Sequence, residues 1–160
     1  CCRYLGDISR EISVLEEACA VLDASSSVMH TELLAEAYLQ SGAGNGSPEQ
    51  YEKAYALCSG LMERGVTDIS VQLNAALALQ YLGRTEEALQ EIESAVKEYP
   101  NDYRVYVRAA LLYLDPQVND QEKAISAYEQ AETLYKGAGV QDSEMTYLTS
   151  LIQELSSAYG

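Results

Sequence analysis

Residues 69–102 read ISVQLNAALALQYLGRTEEALQEIESAVKEYPND, and this stretch decides the fold. Ile69 to Leu82 carries no charge, and Gly83-Arg84 interrupts it where a glycine permits a sharp turn. Thr85 is expected to cap a second helix running to Glu98, and Tyr99-Pro100-Asn101 stops it. Small residues at Ala76, Ala88 and Ala95 let two helices approach closely. Large ones at Leu79 and Ile92 fill the groove between them.

The pattern recurs along the chain. Ala54 to Ala88 is 34 residues and Ala88 to Ala124 is 36, the excess lying in the longer turn Asp115-Pro116-Gln117-Val118-Asn119. Spacing of this size marks an array of helix pairs, none of which buries its apolar face alone. Ala76, Leu79, Gly83, Ala88, Ile92, Ala95 and Pro100 fall where the tetratricopeptide repeat places small, large, turn, small, large, small and stop residues. The stretch therefore resembles that family. The resemblance implies an all-α fold, a right-handed α-solenoid of antiparallel helix pairs with about eight helices and no sheet. It also implies one domain over residues 1–160. That domain comprises a degenerate half-repeat at 1–24, repeats near 28–66, 69–102 and 103–136, and a capping helix at about 142–158.

Taken in order, residues 1–6 look like a helix end, because Tyr4-Leu5-Gly6 repeats Tyr81-Leu82-Gly83. Asp7 then caps a helix reaching about Leu22, with Ile8, Ile12, Leu15, Ala18, Cys19 and Leu22 on one face. Ser25-Ser26-Ser27 is a linker before a helix from Val28 to Ser41. The glycine-rich Gly42–Gly46 is expected to be the most flexible stretch and open to cleavage. Ser47-Pro48-Glu49-Gln50 signals a helix start by capping box and first-turn proline, leading a helix to about Glu63. In the third repeat Ala110, Tyr113, Ala124, Tyr128 and Ala131 match the pattern, and Gly137-Ala138-Gly139 closes it. Asp142 or Ser143 caps a last helix reaching about Ala158, whose apolar face is Leu148, Leu151, Ile152 and Leu155.

Composition narrows the function. Apolar residues make up 48% of the chain, too many for a disordered segment. The net charge of −15 is spread along the chain. Such a surface repels phosphate backbones and anionic lipid, which argues against nucleic-acid and membrane partners. No apolar run approaches a membrane span. Cys1, Cys2, Cys19 and Cys58 show no C-x-x-C spacing, a usage that suits the reducing cytoplasm. Alternatively, Cys1 is the lipidated first residue of a bacterial lipoprotein. The start at Cys1 without Met reads as an excised or processed piece.

No enzyme is legible. His30 is the only histidine, and no nucleophile or orienting acid has a repeat-consistent place beside it. No zinc site of normal spacing can be written, the glycine clusters lack the Lys-Ser/Thr ending of a phosphate loop, and no cofactor is expected.

The resemblance points instead to a protein or peptide partner held in a concave groove lined by the first helix of each repeat. Carried over residue by residue, the groove takes Glu32, Leu33, Glu36 and Gln40 from the first repeat. From the second it takes Ser70, Leu73, Asn74, Leu77 and Tyr81. From the third it takes Arg104, Val107, Arg108, Leu111 and Leu114. Arg104, Arg108 and Asn74 match part of the carboxylate clamp of chaperone-binding members, whereas Glu32 and Glu36 stand where that clamp has a lysine and an asparagine. The expectation is thus a split groove, with an acidic group at the arginines, an apolar side chain at Leu73, Leu77 and Leu111, and a basic group at the glutamates. The arginines have a competing fate, pairing with the chain's own Glu98 or Asp102. Two other functions fit the same residues: a secretion or export chaperone, and a docking segment of a longer enzyme.

Overall fold

The computed structural model describes residues 5–22 and 27–158. Among them it forms eight helices and no strand: α1 Leu5–Val21, α2 Val28–Asn45, α3 Pro48–Glu63, α4 Ile69–Tyr81, α5 Thr85–Glu98, α6 Tyr103–Tyr113, α7 Gln121–Ala138 and α8 Ser143–Ala158. The chain divides into two compact units, Cys1–Ala88 and Leu89–Gly160.

In the first unit α1 packs on α2, α2 on α3, and α4 on both α3 and α2. One core cluster gathers Leu15, Leu34, Tyr38, Leu39, Tyr51, Ala54 and Ala78. A second joins Ala35, Cys58, Leu61, Val71 and Ala75. The alanines at Ala35, Ala54 and Ala75 are fully buried, as close helix approach requires. In the second unit α6 packs on α7, and α8 lies against both. Leu112 and Leu148 are fully buried there, with Ala110, Ala124 and Ala131 as the small contacts.

The caps fix the helix register. Asp68, Asp102 and Asp142 each accept a hydrogen bond from the backbone N–H two residues on, at Ser70 (2.7 Å), Arg104 (3.0 Å) and Glu144 (2.8 Å). A side-chain oxygen there satisfies one of the donors that a helix start leaves open. At the other end, α3 and α4 close alike. Gly65 (φ +80°) and Gly83 (φ +73°) adopt the left-handed conformation. Val66 N–H then reaches Leu61 O (3.1 Å) and Arg84 N–H reaches Leu79 O (2.9 Å), the six-residue closure of a glycine-terminated helix. The longer turn expected at 115–119 is also present, with Asn119 left-handed at φ +49°.

Several expectations need correction. The helix over 5–21 already includes Gly6 and Asp7, so no turn falls at Gly6 and the helix begins before Asp7. The part of that reading that rests on residues 1–4 lies outside the described residues, as do Ser25 and Ser26. Gly42 is not in a loop. α2 continues through Asn45, and Gly46 (φ +67°) ends it with its N–H on Gly42 O at 2.7 Å. Gly42 is buried, and a Cβ there would lie 2.5 Å from Cε1 of Tyr51. The glycine is required by a ring seated on the helix, not by a need to bend. The capping box at Ser47 and Gln50 does not form: Ser47 makes no side-chain cap and Gln50 Oε1 is buried without a partner, although Pro48 does open the helix. Likewise α5 starts at Thr85 itself, with Ala88 N–H donating to Arg84 O at 3.0 Å. Finally, α7 runs through Gly137 to Ala138 and stops at Gly139.

Candidate binding face

Counting from the capping residue of each first helix (Ser27, Asp68, Asp102 and Asp142) sorts side chains by role. Three residues on stand Val71, Val105 and Met145, and ten residues on stand Ala78, Leu112 and Ile152, all buried. Five, nine and thirteen residues on, the side chains face outward. In α2 these are Glu32, Glu36 and Gln40; in α4 they are Leu73, Leu77 and Tyr81. In α6 only Leu111 does so, since Val107 at the fifth position is buried, and in α8 they are Tyr147, Leu151 and Leu155.

The first unit presents an acidic row on α2 beside an apolar row on α4, two helices in contact. Leu73, Asn74 and Leu77 are half-buried, while Leu33 and Tyr81 are exposed at 41% and 50%. Tyr81 rests one ring face on Tyr51, centroids 4.8 Å apart, and leaves the other open. Burial, together with the charges of Asp68 and Glu36, raises Glu32 above the usual carboxylate range. A cation brought here would relieve that repulsion. The absence of charge from α4 thus has two sources, since Ile69, Val71, Ala75, Ala76, Ala78 and Leu79 are core and the remaining apolar residues form a surface row.

The second unit presents a different pair of features. Arg104 is held by Asp102, with Nε–Oδ1 3.0 Å and Nη2–Oδ2 2.8 Å. Arg108 is buried and its Nη2 lies 2.5 Å from Glu144 Oε1 at the start of α8. Its Nε is buried without a partner. Val107 is buried at 1%, so it belongs to the core more than to an accessible face, while Leu111 is half-buried. One accessible apolar feature is a pocket of about 400 Å³ lined by Leu114, Tyr147, Leu151, Glu154 and Leu155, and another, of about 470 Å³, lies between α7 and α8 at Tyr128, Tyr135 and Met145. Of these, the sequence reading placed only Leu114 at the groove. It merged Leu151 and Leu155 with Leu148 and Ile152 into one packing face. Asp142 as the cap would have separated the buried stripe from the outward one.

Among the described residues, the cysteines and the histidine show no assembled chemistry. Cys58 is fully buried, and burial, with Glu32 and Glu36 adding to it, pushes its thiol up to about 12. Cys19 Sγ lies 3.8 Å from Thr31 Oγ1. His30 sits in the first turn of α2, its Nδ1 buried and without a hydrogen-bond partner. Among the described residues no group of His, Cys, Asp and Glu is arranged to hold a metal ion, and no helix is long and apolar enough to cross a membrane.

Stacked helix pairs with small residues at the crossings and a repeated outward row define a helical-repeat interaction scaffold. Residues 69–112 match the tetratricopeptide repeat, and the fold is that of a tetratricopeptide-like helical repeat. Its fold is similar to solved structures of MamA MSR-1 (25% identity, TM-score 0.63, covering 84% of this chain and 71% of that one). It is also similar to MamA AMB-1 (27%, 0.64, 83% and 72%). A MamA RS-1 double mutant shares the fold at 14% identity (TM-score 0.65, 86% and 71%). No curated protein matches the chain.

Proposed function

We propose that this protein works without catalysis, as a module that holds an apolar segment of a partner protein against the outward rows of its first helices. The observation that carries the reading is the pocket at Leu114, Tyr147, Leu151 and Leu155. α8 keeps the apolar ring of Tyr147 at 58% exposure beside Leu151 and Leu155. By contrast, the neighbouring stripe of α8 carries Thr149, Ser150 and Gln153. Apolar residues are thus kept on α8 at the positions where α4 carries Leu73 and Leu77.

The arginines serve this module differently from a carboxylate clamp. Arg104 straps the start of α6 and Arg108 ties α6 to α8, each using a carboxylate of its own chain. Selecting peptides from a displayed library on the immobilised chain, then titrating the best one calorimetrically, tests the proposal. The double variant Tyr147→Ala/Leu151→Ala should weaken binding at least tenfold, and Glu129→Ala on the exposed side of α7 should not. Equal affinity for the double variant would end the reading.

A further inference from the structure

Resting on that reading, we infer that the occupant of the α8 pocket is a basic amphipathic helix of a partner protein. The shape argument comes first. Tyr147, Leu151 and Leu155 follow each other at four-residue spacing, so they form a straight ridge along two turns of α8, about 12 Å at 1.5 Å per residue. Leu114, at the end of α6, supplies the opposite wall. A ridge of four-residue spacing beside a second wall is the surface into which another helix sets its own ridge. A partner with apolar residues at i, i+4 and i+7 fits it.

The charge argument fixes the flanks. Glu154 lines the pocket and Asp115 follows Leu114, at the C-terminal end of α6 where the helix dipole adds negative potential. No basic residue lines the pocket. Four of the unit's five cations are paired elsewhere, Arg104 with Asp102, Arg108 with Glu144, Lys123 with Asp120 at 3.3 Å and Lys136 with Glu132 at 3.0 Å, and the fifth, Lys97, is on α5 and does not line the pocket. The first unit repeats the combination independently, setting Glu32 and Glu36 beside the apolar row of α4. A second copy of this chain, carrying the same net charge of −15, is the wrong complement for such a face. Lysines or arginines flanking the apolar stripe of the partner are the right one.

The test uses the intact chain and three synthetic 18-residue helical peptides. The first has leucines at i, i+4 and i+7 with flanking lysines, the second has glutamates in place of the lysines, and the third keeps the lysines but has serines in place of the leucines. Fluorescence anisotropy at 0.15 M salt should give at least tenfold tighter binding of the first than of either other. Tyr147→Ala/Leu151→Ala should remove that preference over the serine peptide. Glu154→Lys, a change at an exposed residue that leaves the fold intact, should weaken the first peptide at least threefold and strengthen the second. If the glutamate peptide binds as well as the lysine peptide, and both respond to Tyr147→Ala/Leu151→Ala, the basic partner is refuted while the pocket stands. If no peptide responds to that double variant, or none binds, the pocket itself is refuted and the inference with it.

Discussion

Replacing Gly42 by alanine sets two effects against each other at one position. Alanine in a helix interior is favoured over glycine by about 1 kcal/mol. Against this, the new Cβ would meet Tyr51 at 2.5 Å from Cε1 and 2.9 Å from Cδ1 and Cζ. Tyr51 is 7% exposed and its ring is stacked at 4.8 Å on Tyr81, so it has little room to retreat. Overpacking of this kind costs about 1–3 kcal/mol. Gly60, inside α3, is the internal control, because a Cβ there meets nothing within 4 Å. Gly60→Ala should therefore show the full propensity gain, and Gly42→Ala should fall below it by about 1–3 kcal/mol. In a chain of this length 1 kcal/mol moves the midpoint by about 2–4 °C. Thermal and urea unfolding followed by circular dichroism should thus split the two variants by at least about 2 °C. Equal stabilisation by both would refute the claim that Gly42 is kept for the Tyr51 ring.

Three further outcomes follow from other parts of the structure. Asp142→Ala removes the acceptor of the Glu144 and Met145 N–H groups and of the Tyr103 hydroxyl, and should destabilise by about 0.5–2 kcal/mol, measured by urea unfolding. Ala88→Leu, at a fully buried position, should cost about 1–3 kcal/mol, and an unchanged melt would overturn the assigned register. Glu32 has a raised folded-state pKa, so the stability it contributes is complete below the ordinary carboxylate value of about 4.3 and is lost as pH rises through the folded one. Glu32→Gln should accordingly raise the melting temperature at pH 7 and lose that advantage near pH 4, and a constant advantage would contradict the electrostatic cause.

Some of this was written in local spacing and some was not. Helices α4 and α5 were legible because their signals are short-range, an uncharged run and Gly83 as the left-handed stop. Gly42 was misread because glycines followed by Asn45 look like a loop, and only the ring of Tyr51 on the next helix shows otherwise. Asp102 as the partner of Arg104 lies two residues away and was foreseeable. Glu144 as the partner of Arg108 is 36 residues distant and depends on where α8 docks. On α8 the buried stripe of Met145, Leu148 and Ile152 and the outward stripe of Tyr147, Leu151 and Leu155 interleave. They blur into one apolar face until the cap at Asp142 sets the count.

Amide hydrogen exchange of the intact chain, with and without a peptide selected from a library, tests the central claim most directly. Binding against the outward rows should slow exchange in α8 over residues 147–155 and at the end of α6 around Leu114. Exchange over the exposed side of α7, including Glu129 and Gln130, should stay unchanged. Slowing confined to α3 or α7 would place the partner on the second helices and contradict the account.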